Sequence, residues 1–147
     1  MTVQEKIESR ECAYKCIITL IPNLLNLREK QVLRIEPKYG RNPLKVVITK
    51  RERDIIILRL RQKTIAEGRY RNNPMMRVLI HPNFQNALTI SYENEIEGFY
   101  EECILFDRYG HVENKIEQSI IEYNRILIEW LDGLIEKGFK EVPLKYF

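Results

Sequence analysis

The chain has 147 residues, 44% hydrophobic and 31% charged, the proportions of a single domain (1–147) that buries a core without metal or disulfide help. Its net charge of +3 hides an asymmetry: residues 38–77 carry twelve Lys/Arg against three Asp/Glu, and residues 92–147 carry six against thirteen. The longest apolar-leaning run, Cys16 to Leu27, is broken by Thr19, Pro22, Asn23 and Asn26 and is too short and polar to cross a bilayer, and the start, with Glu5, Glu8 and Glu11, lacks the order of a signal peptide.

Thr2 and Glu5 have the spacing of a capping box, and Ile7, Tyr14, Ile17, Ile18 and Ile21 follow at roughly helical intervals, with Cys12 and Cys16 near that stripe. Pro22 lacks the N–H that a helix interior needs, so the first helix ends there and residues 22–29 start a second, short one. The middle reads as strands. Val32 to Glu36 and Leu44 to Lys50 come first, then a turn at Arg51-Glu52-Arg53. Asp54 to Lys63 follows, with Ile56, Leu58 and Leu60 on one face and Ile55, Ile57, Arg59, Arg61 and Lys63 on the other. Gly68 to Pro74 reads as a polar turn. Met75 to His81 puts Met76, Val78 and Ile80 opposite Met75, Arg77, Leu79 and His81. Leu88 to Asn94 and Phe99 to Phe106 complete the run, joined by the acidic turn 95–98. From Asn114, a possible N-cap, to Lys137 a helix carries Ile116, Ile120, Tyr123, Leu127, Trp130, Leu131 and Leu134 inward, and Gly138 with Phe139 suits a Schellman ending. The expected fold is α+β: an antiparallel meander of about six strands packed against N-terminal and C-terminal helices.

Two segments resemble a known pattern. Glu67-Gly68-Arg69-Tyr70-Arg71-Asn72-Asn73-Pro74-Met75-Met76 is similar to an Asn-Gly-Asp-x-x-x-Asp-Pro-x-Met stretch, and Tyr92-x-Asn94-x-x-x-Gly98-x-Tyr100 to a Tyr-x-x-Asp-x-x-Gly-x-Tyr region. Both occur in a family of small uncharacterised domains found in bacterial genomes, plasmids and phages. Trp130-x-x-x-Leu134-x-x-x-Gly138-Phe139 resembles the terminal helix of the same family, so the likeness runs from about 32 to 139. It implies an origin on a mobile element and no activity. The two Asp of the first stretch are Arg69 and Asn73 here, so any chemistry of those carboxylates is lost.

The basic residues Lys50, Arg51, Arg53, Arg59, Arg61, Lys63, Arg69, Arg71 and Arg77 lie on adjacent strands and turns, with Tyr70 among them. If Arg59, Arg61 and Arg77 share a face they form a strip that could follow a phosphate backbone, with Tyr70 free to stack. The plainer alternative is a solvated face whose arginines balance the acidic C-terminal half. Ile55 and Ile57 would then stand exposed beside arginines, a pattern that suggests self-association as a homodimer.

Cys12 and Cys16 are four apart on one helix, but only Cys103, His81 and His111 could complete a zinc set, and no metal or cofactor is expected. The odd cysteine count fits a reducing, cytoplasmic setting. No catalytic constellation emerges. Glu93, Glu95, Glu97, Glu101 and Glu102 flank one hairpin, and Asp107 with Glu113-x-Lys115 would be the carboxylates of a distant third option, a metal-dependent hydrolase. The leading expectation is a non-enzymatic binding or adaptor domain acting through protein–protein contacts. The alternative is a nucleic-acid-binding protein using the basic strands of 44–77.

Overall fold

A computed structural model describes residues 2–40 and 42–142. Helix α1 (Val3–Leu20) starts where its cap dictates: the Thr2 hydroxyl accepts from the Glu5 amide at 3.1 Å. The Thr2 hydroxyl in turn donates to the Glu5 carboxylate at 3.3 Å. Ala13, Tyr14, Ile17 and Leu20 are buried, whereas Ile7 and Cys12 lie outside the buried stripe and are exposed. Pro22 does stop the helix. The expected second helix is only a 3-10 turn, Leu24–Asn26, which seats Leu24 in the core.

Six strands then pair in chain order: β1 (Val32–Glu36), β2 (Leu44–Arg51), β3 (Ile56–Ala66), β4 (Arg69–His81), β5 (Asn86–Asn94) and β6 (Phe99–Glu102). The expected meander is therefore present, and every pairing is antiparallel. Two further strands, β7 (Ile104–Phe106) and β8 (Val112–Lys115), make a separate hairpin. Helix α2 (Glu117–Glu136) is followed by β9 (Lys140–Val142), which adds to the edge at β1. The main sheet thus has seven strands in the order β6-β5-β4-β3-β2-β1-β9.

Alternation divides the sheet as hydropathy demands. The inner face carries Leu33, Ile35, Val46, Ile48, Leu58, Leu60, Met76 and Val78, all buried. The two helices pack on each other and on β5. Asn124 of α2 is wholly buried and satisfied there. Its Oδ1 accepts from the Thr89 amide at 2.9 Å and the Thr89 hydroxyl at 2.7 Å, and its Nδ2 donates to the Ala87 carbonyl at 3.0 Å. The Cys16 thiol donates to Asp132 at 3.2 Å, and Arg10 pairs with Glu117, so two polar contacts also join the helices. The Schellman ending is formed: the Phe139 amide reaches the Leu134 carbonyl at 3.1 Å and the Gly138 amide reaches Ile135 at 3.0 Å, with Gly138 at φ +74°.

Several expectations are corrected. The polar turn 68–74 shrinks to Glu67-Gly68, both at positive φ (54° and 77°), the two-residue geometry that matches strand twist. Residues 69–74 are instead strand, so β3 and β4 form a long arm. The expected strand 99–106 breaks at Cys103, whose amide bonds to the Ile90 carbonyl at 2.7 Å before β7 leaves the sheet. Asn114 is in β8 and caps nothing; α2 begins after Ile116, whose side chain has no oxygen to offer and is exposed. Trp130 lies at the margin of the inward stripe, partly buried, where its Nε1 donates to Gln62 at 2.7 Å.

Candidate anion-binding face

The outer face of the sheet has a covered half and an open half. On the covered half, Ile57 faces Leu79 and Leu79 faces Leu88 across neighbouring strands. These three apolar side chains would meet water if nothing lay over them. All three are buried, and the β7–β8 hairpin lies beside Ile57, which is only 6% exposed. A cavity of about 470 Å³ beneath the hairpin is lined by Ile57, Arg77, Ile104 and Phe106 among others. The expectation that Ile57 stands free for self-association is therefore overturned: its neighbours come from its own chain. Ile55 precedes β3 and is partly buried against the core.

The turn of that hairpin also accounts for Asp107. Its Oδ1 accepts from the Tyr109 amide at 2.8 Å and the His111 amide at 3.0 Å. The His111 amide above all holds the carboxyl below its ordinary pKa. Asp107 is a turn former, and Glu113 and Lys115 are exposed on β8.

The open half is basic. Register places Arg34 opposite Lys45 and Lys45 opposite Arg61, one row across β1, β2 and β3. The adjacent row sets Val32 opposite Val47, Val47 opposite Arg59, and Arg59 opposite Arg77. Arg59, Arg61 and Arg77 thus share one face, with Arg77 at its boundary, where it also lines the hairpin cavity together with Glu102. Like charges placed directly opposite each other are unfavourable, so the local balance of charge matters.

That balance is not struck by ion pairs. Among the described residues Arg34 pairs with Glu36 at 2.6 Å, Lys50 with Glu52 at 3.3 Å and Arg71 with Glu67 at 3.2 Å. Lys45, Arg59, Arg61, Lys63 and Arg77 have no carboxylate within 4.0 Å among the described residues, and no ion pair there joins segment 38–77 to segment 92–147. Several of the C-terminal carboxylates are engaged elsewhere: Glu101 with Tyr123 and Ser119, Glu102 with Tyr100, Glu93 and Glu95 with Asn72, Glu117 with Arg10. The buried Nε of Arg59 has no hydrogen-bond partner. Lys45 has its pKa lowered, by burial first and then by the positive charges of Arg61, Arg59 and Lys63.

Other sequence-predicted residues lie apart from this face. Arg69 and Arg71 alternate with Tyr70 on β4 and project from the other side of the arm, Arg71 towards Glu67. Arg53 is exposed in the β2–β3 turn, and Arg51 bonds to the Glu52 and Leu25 carbonyls. Lys50, paired with Glu52, lies beside the hairpin turn near Gly110. Lys45 and Arg34 are members of the face that the sequence reading omitted. Alternation could have found them, since Lys45 and Val47 must oppose Leu44, Val46 and Ile48.

The two segments of the family-like pattern meet. Asn94 donates to Asn73 at 3.0 Å, Asn72 donates to Glu93 at 3.0 Å, and the Asn72 amide bonds to Glu95 at 3.1 Å. These residues tie the base of the β3–β4 arm to β5 and its turn. Compared with protein-family models, with curated proteins and with solved structures, the chain matches none.

Proposed function

We propose that this chain is a non-catalytic binding domain whose open basic sheet face holds the phosphates of a nucleic acid. The observation that carries the reading is the pair of rows Arg34–Lys45–Arg61 and Arg59–Arg77, in which every cation except Arg34, paired with Glu36, lacks a carboxylate within 4.0 Å among the described residues. A face that sets Arg59 against Arg77 and Lys45 against Arg61 with few ion pairs is relieved when an external polyanion supplies further negative charge. Phosphate contacts of this kind position a nucleic acid without reading its sequence. Titration of labelled oligonucleotides at low salt, followed by anisotropy, tests it. Binding that weakens steeply with salt and disappears in Arg59→Glu/Arg61→Glu supports it, and no binding by the folded wild type at tens of micromolar ends it.

A second reading is contact with a protein partner, including another copy of this chain. The support is that β6 is an edge strand with Phe99 and Tyr100 exposed beside Glu102, an acidic counterpart to the basic rows. Light scattering after size exclusion tests it. A mass that remains that of one chain at high micromolar concentration removes the self-association form of this reading.

A further inference from the structure

The basic rows border a groove. Beyond Arg61 the strand β3 continues without a β2 partner, and with β4 it forms the two-stranded arm that ends at Glu67-Gly68. Ile65 and Tyr70 stand directly opposite each other on this arm and are 63% and 71% exposed. Between the arm and β1–β2 lies a groove of about 870 Å³. Its lining combines apolar surface from Val32, Pro43 and Ile65 with the cations Lys45, Arg61 and Lys63, and the apolar surface predominates.

We propose that the groove takes single-stranded nucleic acid, with phosphates along the Arg34–Lys45–Arg61 row and a base laid against the Tyr70 ring. This rests on the nucleic-acid reading above and narrows it. A duplex keeps its base faces stacked on one another and offers a protein its phosphates and groove edges. It has nothing to set on an apolar groove or on an exposed aromatic ring. A single strand offers charge and apolar rings together, and this groove presents partners for both. Single-strand sites combine a basic track with aromatic platforms for this reason. The distances suit one continuous ligand. The cation row crosses three strands, about 10 Å, and Ile65 lies four residues beyond Arg61, about 13 Å along β3.

The test uses four probes against the full chain by anisotropy or competition: an oligothymidylate, a duplex of mixed sequence, an abasic oligonucleotide and inorganic polyphosphate. The oligothymidylate is expected to bind most tightly. Tyr70→Ala should weaken it about 5- to 150-fold, the range for removing one stacking platform, and leave polyphosphate and abasic binding unchanged. Tyr70→Phe should restore most of the loss, because the ring and not the hydroxyl does the stacking. Tyr70 is exposed and on the arm, so an unchanged melting curve confirms that the variants fold. Equal binding of all four probes with no effect of Tyr70→Ala overturns the single-strand proposal and leaves the phosphate reading intact. Tighter binding of the duplex also overturns it. Failure of every probe to bind ends the wider reading and this one with it.

Discussion

Arg59 and Arg77 stand directly opposite each other on β3 and β4, and neither has a carboxylate within ion-pair distance among the described residues. Cross-strand partners of like charge repel, and here the repulsion is compounded by the neighbouring pair Lys45 and Arg61. The core gains nothing from these charges, because the inner face of the same strands is filled by Leu58, Leu60, Met76 and Val78. On the proposed reading, this repulsion is relieved when an anion binds.

Stability and binding should therefore move in opposite directions at these positions. Arg59→Gln or Arg77→Gln should leave the free protein as stable or more stable by about 0.2–1 kcal/mol, the scale of a cross-strand charge pair. The same variants should bind an oligonucleotide more weakly. Thermal melts at low salt, with and without ligand, read both effects; a large loss of stability in the free variants would mean that these arginines serve the fold.

Ile57 is expected to report on the hairpin that covers it. Ile57→Ala should cost about 2–5 kcal/mol, the usual range for emptying a buried aliphatic site. Ile57→Glu should also destabilise, because it places a carboxylate in a buried site beneath Ile104 and Phe106, a cost that the neighbouring Lys50 and Arg77 offset only in part. Denaturant midpoints check this. A variant that unfolds normally but changes its mass in solution would restore Ile57 to an interface between copies.

The contrast between Ile57 and the rest of β3 marks how far sequence reading reaches. Period-two alternation placed Ile56, Leu58 and Leu60 on one face and Arg59 and Arg61 on the other, and the sheet agrees. Each of those assignments depends only on neighbours along the strand. Whether the outer face is open depends on a distant event, the break at Cys103 that sends β7 and β8 across it. Residues 99–106 alternate well enough to pass for one strand, so nothing local announces the break. The arm was missed for a similar reason: Asn72, Asn73 and Pro74 look like a turn, and the true turn is Glu67-Gly68. Without the arm, the groove beside Tyr70 was not visible. Lys45 is legible from the alternation of β2 alone, since Leu44 and Val46 on either side of it face inward.

Asn124 should be a sensitive position. Asn124→Ala would strand the Thr89 amide, the Thr89 hydroxyl and the Ala87 carbonyl in the core between α2 and β5. The expected cost is on the order of 3 kcal/mol, since unpaired buried polar groups carry a desolvation penalty. Urea denaturation measures it, and a loss below the error of the midpoint would show that the neighbours find other partners.

Mild acid should destabilise the chain through His81. Burial first, then the positive charges of Lys115 and Arg10, push its pKa below the ordinary value of 6.5. Between that lowered value and about 6.5 the unfolded chain binds the extra proton, so stability falls as pH drops through this window. His81→Gln should flatten that part of the stability profile. An unchanged slope in the variant would assign the acid sensitivity to other groups.

The central claim, that the open basic face binds nucleic acid through its unpaired cations, is tested most directly by the salt dependence of oligonucleotide affinity. Each neutralised phosphate of a single strand contributes about −0.7 to the slope of log K against log salt. With Lys45, Arg59, Arg61, Lys63 and Arg77 all engaged, the slope should approach about −3.5, and Arg61→Gln should reduce its magnitude by about 0.7. A slope near zero, or one that Arg61→Gln leaves unchanged, would contradict the account.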